Sequence, residues 1–170
     1  IEAAEKRQQQ GWVDELIYTI QELIKRVEQA QKNNETISIA FVGNIVEVWE
    51  KFDENNIFIH VGSDQTSLHI PWTGGYYPIG ISYEKANQLL RENPEVFKKE
   101  VQASLKRHAT AINKHAKKRT YFFDYGNAFL LEASRAGADV MATNNIDFKF
   151  PSYVQDILGP LCFDYGFGPF

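Results

Sequence analysis

The chain is predicted to be an α/β protein with a parallel sheet flanked by helices, and three features predict it. Short β-branched apolar runs alternate with amphipathic helical patterns. The runs are nearly continuous rather than alternating with polar residues, as buried parallel strands require. Each run ends in a polar or Gly-containing turn of the kind that leads from a strand into a helix.

Taken in order, Val13, Leu16, Ile17, Ile20, Leu23, Ile24 and Val27 recur at three- and four-residue spacing. This predicts one long helix ending at the Asn33-Asn34 pair. "ISIAFV" from Ile37 to Val42 reads as a strand closed by Gly43, and Ile45 to about Phe52 as a short helix. "IFIHV", 57 to 61, reads as a second strand, which makes a right-handed crossover between parallel neighbours the most economical connection. Residues 62 to 78 form a loop. Ser82 then caps a helix from Tyr83, and Asn93 with Pro94 starts another, because Asn accepts from free N–H groups and Pro at the first helical position loses no bond. On that helix Phe97, Val101, Leu105, His108, Ile112 and His115 share a face. "TYFFDYGN" is a third strand with a turn at Gly126, Asn127 caps "AFLLEASRA", and Gly137 stops it. "KFPSYVQDILGP" suggests an extended stretch, a last short helix and a loop.

A chain of 170 residues is expected to make a single domain over 1–170 with one core, and neither a linker nor a low-complexity tract interrupts it. The echo of "FDYGN" at 123 by "FDYGF" at 163 is too short for a repeat architecture. A net charge of −4 without a basic block leaves nucleic acid no source of phosphate affinity. The absence of a long apolar run or a secretory leader pattern predicts a cytoplasmic protein with no membrane partner. The single Cys162 suits a reducing compartment and reads first as a small buried hydrophobe.

Candidate sites follow from chemistry. His108 and His115, two helical turns apart, stand about 10 Å from one another and cannot share a metal, so no metal site is expected. Cys162, His69 and Asp64 or Asp124 contain the residue types of a nucleophilic triad, but such triads are defined by geometry. The loop "GSDQTSLHIPWTGGYYP" carries more information. It follows a strand, where open α/β sheets bind ligands. Gln65, Thr66, Ser67 and His69 offer donors for phosphate or ribose oxygens, Gly74 and Gly75 permit close backbone approach, and Trp72, Tyr76 and Tyr77 offer ring surfaces. "VGN" at 42 to 44 and "DYGN" at 124 to 127 bring similar turns to other strand ends. Convergent turns suit a dinucleotide, although the G-x-G-x-x-G fingerprint is absent.

"GSDQTSLH…GGYYP", "FFDYGNAFLLEASRAGADV", "FPSYVQDILGP" and "GFGPF", with "KRQQQGW" at 6 to 12 and "FVGN" at 41 to 44, resemble the urocanase family in its eukaryotic-type version over nearly the whole chain. The resemblance implies a Rossmann-like, excised piece of the NAD-binding core of a larger homodimeric enzyme. That enzyme is a hydro-lyase of histidine breakdown that adds water to urocanate, giving imidazolonepropionate, with NAD⁺ as electrophile. It further implies that Asn44 and Ile45, the run Gln65, Thr66, Ser67, Leu68 and His69, Gly75 with Tyr76, and Tyr125 line the NAD⁺ site. No catalytic residue is assigned, because the position of the bacterial family's active-site Cys is Asp164 here and Cys162 lies two residues earlier. The excised piece is expected to be inactive alone. The rival readings are a non-catalytic binding or dimerisation module and a fragment of an NAD-dependent dehydrogenase.

Overall fold

The computed structural model describes residues 2–159; Cys162, Asp164, "GFGPF" and the second copy of the echo lie outside them. The chain divides into two compact units, Ile1–Ile57 and Phe58–Phe170.

In the first unit, helix α1 (Glu2–Gln9) precedes strand β1 (Glu15–Ile17), helix α2 (Ile20–Asn33), strand β2 (Ile39–Phe41) and helix α3 (Ile45–Glu54). The single long helix expected over Val13 to Val27 is therefore split. Gly11, at φ 74°, follows α1, and Glu15, Leu16 and Ile17 pair in parallel with Ile39, Ala40 and Phe41. Thr19 accepts from the Glu22 amide and so begins α2 one residue later. Apolar spacing fits helix or strand here, and a partner 24 residues away decides between them. Asn34 ends α2 in the left-handed conformation, with its amide reaching Ala30 and Gln31 carbonyls, as the Asn pair predicts. Every residue of β2 is half-buried rather than fully covered.

The second unit contains strand β3 (Val61–Asp64), helices α4 (Tyr83–Glu92) and α5 (Pro94–Lys117), strand β4 (Tyr121–Asp124) and helix α6 (Phe129–Arg135). It also holds a 3-10 turn, Pro71–Thr73, and a π-helical turn, Tyr153–Leu158. Strands β3 and β4 are parallel, from Val61 beside Tyr121 to Asp64 beside Asp124. This corrects the expected strand over 57–61. Ile57 instead completes the end of α3 by donating to the Phe52 carbonyl, after Asn56 turns left-handed. The ladder starts only where the Tyr121 amide reaches the His60 carbonyl. The crossover expected between 37–42 and 57–61 gives way to two separate pairs, β1 with β2 and β3 with β4.

The helix starts are as the residues dictate. Ser82 accepts from the Lys85 amide and Asn93 from the Val96 amide, with Pro94 opening α5. On α5, Phe97, Val101, Leu105, His108, Ile112 and His115 are all buried, and α4, α6 and β4 pack against this helix. Burying four aliphatic or aromatic side chains completely contributes roughly 1.5–3 kcal/mol each. That makes α5 the spine of its unit.

Candidate functional site

The C-terminal ends of β3 and β4 lie side by side, and each ends in a buried aspartate. Asp64 Oδ1 accepts from the Thr66 amide at 3.1 Å, the Thr66 hydroxyl at 2.7 Å and Asn127 Nδ2 at 2.7 Å. Asn127 Nδ2 also donates to the Thr66 carbonyl at 2.7 Å. Residues 63 apart in sequence thus lock the start of the 65–78 loop to the turn after β4. Asp124 does the equivalent for its own turn, with one oxygen accepting from the Gly126 amide and the other from the Leu130 amide at 3.0 Å. A carboxylate at this place satisfies a free N–H at the start of α6 and sits at the positive end of its dipole.

Beyond Asp64, burial alternates in a way that sorts the loop by role. Leu68 is 1% exposed and anchors the run, whereas Gln65, Ser67 and His69 are exposed. Among the described residues these three side chains engage in no hydrogen bond. The loop closes on itself through Ser67 N to the Gly75 carbonyl and Gly75 N to the Ile70 carbonyl. A Cβ at Gly75 would stand 2.1 Å from the Ser67 carbonyl oxygen, so only glycine permits this closure.

The aromatic residues of the loop are fastened to helices. The Tyr76 hydroxyl is 3.2 Å from His108 Nδ1 on α5, and both side chains are buried. Tyr77 donates to Asn87 Oδ1 on α4 at 3.0 Å and lies against Tyr83. Lys98 Nζ sits 5.0 Å from the centre of the Trp72 ring. Further on, the Ile79 amide donates to Ser104 Oγ of α5. Burial leaves the Tyr76 ring no free face, so a ligand meeting this residue would meet its backbone.

Asp64 is the group that residue types alone left among several candidates. Burial raises its pKa above 3.8, against the lowering effect of its hydrogen bonds from Thr66 and Asn127. Among the described residues its Oδ2, 4.0 Å from His108 Nδ1, has no hydrogen-bond partner. Tyr76 is pushed up as well, first by burial and then by the Asp64 charge. The available signal was positional, an Asp closing each strand with a turn residue two places on, in "SDQT" and "FDYG".

Tyr125 leaves β4 directly, is 44% exposed and stacks on Tyr153. In the first unit, Asn44 follows β2 and caps α3, its Oδ1 accepting from the Val46 amide at 3.0 Å. Ile45 begins that helix and is 38% exposed. An open cleft of about 430 Å³ lies between Leu130 and the 146–156 segment, lined by Ile146, Phe148, Phe150, Ser152 and Gln155 among others. None of the residues expected to bind a dinucleotide lines it. Among the described residues no group of three or more His, Cys, Asp or Glu is arranged to hold a metal.

Residues 1–157 match the family model of the urocanase Rossmann-like domain. The chain is 46% identical to the urocanate hydratase of Mus musculus over 97% of its length. It is 46% identical to that of Homo sapiens over 99%, and 48% identical to the probable urocanate hydratase of Dictyostelium discoideum over 99%. It spans about a quarter of the length of these relatives, 25% or 26% of each.

Proposed function

Because the chain belongs to the urocanase Rossmann-like domain family, we propose that it is part of the NAD-binding core of a urocanate hydratase. In this reading the whole enzyme is a cytoplasmic homodimer that adds water to urocanate, giving imidazolonepropionate. The observation that carries the reading is the Asp64, Thr66 and Asn127 lock. It brings the Gln65–His69 run and Tyr125 to the same end of one parallel strand pair, the position at which open α/β sheets hold ligands.

The residues present fit a dinucleotide. Gln65, Ser67 and His69 offer uncommitted polar groups of the kind that bind phosphate and ribose oxygens. Gly75 lets the backbone approach closely, Tyr76 adds main-chain groups, and Tyr125 offers a ring. Thr66 and Leu68 hold the run from below, one by its hydrogen bonds and the other by burial. Asn44 and Ile45 are proposed as cofactor contacts on the family likeness alone. When bound, NAD⁺ supplies an electron-poor ring that activates the unsaturated substrate toward water. The chain's own part is to bind and orient, the usual division of labour in cofactor enzymes.

The test is a titration of the purified chain with NAD⁺, followed by tryptophan fluorescence and calorimetry. Saturable binding is expected. Gln65→Ala and His69→Ala should each weaken it by roughly 0.5–1.5 kcal/mol, more where a phosphate is the partner, with thermal unfolding unchanged. Wild-type affinity in both variants would remove the run from the site, and no saturable binding by the parent chain would end the cofactor reading.

A further inference from the structure

Tyr125 is useful as a ring platform only if its side chain is held, since an exposed tyrosine on a turn would otherwise lose rotamer freedom on binding. Tyr153 holds it. The two rings are 5.4 Å apart between centroids with planes 4° from parallel, within the favourable range for aromatic pairs. Tyr153 also meets Phe123 at 5.9 Å, so it is braced by the residues on either side of Asp124.

The backbone that carries Tyr153 is tied to the same strand end. The Asp124 amide donates to the Pro151 carbonyl at 2.9 Å, and Asp124 and Ser152 form a parallel bridge. Ser152 N donates to Asp156 Oδ2 at 2.7 Å, which secures the following turn. Gly126, at φ 94°, allows the approach, because a Cβ there would lie 2.7 Å from Val154 Cγ2. The 151–156 segment is thereby a third element at the C-terminal end of the β3–β4 pair, although nothing in residue type singles it out.

We propose that Tyr153 is a positioning residue for ligand binding: it covers one face of the Tyr125 ring and leaves the other to receive a flat heteroaromatic ring. This rests on the reading of Tyr125 as a cofactor residue. A dinucleotide carries two such rings, adenine and nicotinamide, and both satisfy the same stacking chemistry. ADP-ribose contains only the first and nicotinamide mononucleotide only the second, so the two probes separate them.

The experiment is a double-mutant cycle on the 170-residue chain, with dissociation constants measured for NAD⁺, ADP-ribose and nicotinamide mononucleotide. Tyr153→Leu is expected to weaken NAD⁺ binding by roughly two- to tenfold. Tyr153→Phe should restore it, and Tyr153→Leu should add nothing in a Tyr125→Leu background. Loss confined to one of the shorter probes identifies the ring. Tyr153→Met, which keeps bulk without a flat ring, serves if the leucine variant does not fold. Unchanged affinity in the leucine or methionine variant, or an equal loss with and without Tyr125, overturns the positioning role while leaving the cofactor reading intact. If the unmodified chain does not bind NAD⁺, both fall together.

Discussion

Asp64 shows how much one side chain's placement can set. It is 2% exposed, accepts three hydrogen bonds on one oxygen, and keeps the other in a fully buried setting beside His108. Burial holds its folded pKa above 3.8, so between that value and the raised one the folded state binds more protons than the unfolded state. The contribution to stability is present below 3.8 and is lost as pH rises through the folded value. Asp64→Asn keeps the accepting oxygen and removes the titration. Its stability relative to the parent should therefore increase with pH, which urea midpoints from about pH 4 to about pH 8 would show. A difference independent of pH would mean that Asp64 does not titrate in this way. The residue types Asp, His and Tyr were visible in the sequence, but the direction of the shift was not, because burial is a property of the surroundings.

At the scale of elements, the local signals were the dependable ones. Ser82, Asn93 with Pro94, Asn34 and Gly137 each satisfy or end a helix through groups a few residues away, and each appears where the residue type places it. The sequence places Asn127 as the cap of α6, but Ala128, left-handed at φ 68°, holds that position without a side-chain cap bond, and Asn127 reaches the Phe129 amide only at 3.4 Å from one residue outside it. Its stronger bonds, to Asp64 and Thr66, are long-range. Asn127→Ala removes both and leaves the Thr66 carbonyl short of a donor, which should lower unfolding stability by roughly 1–3 kcal/mol. The same change should increase amide exchange across 65–69 while α4 is unaffected. If only α6 loosened, capping would be its main role. Strand limits were less legible. "IFIHV" has the more strand-like composition, yet "VGSD" forms the ladder, since pairing depends on which residues the partner strand presents.

For the molecule as a whole, stability is expected to be uneven because its two units are built differently. In the second, α5 buries nine residues along 24 and is packed by α4, α6, β4 and the Pro71–Thr73 turn. In the first, the strands are three residues each and β2 is half-buried throughout. Native-state hydrogen exchange should therefore find the slowest amides in α5, with β1 and β2 opening at lower free energy. Equal protection in both would show that the units unfold as one cooperative body. No helix among the described residues is long and apolar enough to cross a membrane.

By itself the sequence determined the α/β alternation, the helix boundaries set by capping residues, the face α5 buries, and a family likeness spread over nearly the whole chain. All of these follow from neighbours within a turn or two, or from motifs read in line. The tertiary structure alone decided the split at β1, the register that makes Asp64 and Asp124 neighbours, the buried carboxylate beside His108, and the stack of Tyr125 on Tyr153. Those depend on contacts between residues 24 to more than 60 positions apart. Backbone pairing and burial are energies of such contacts, and no local pattern carries them.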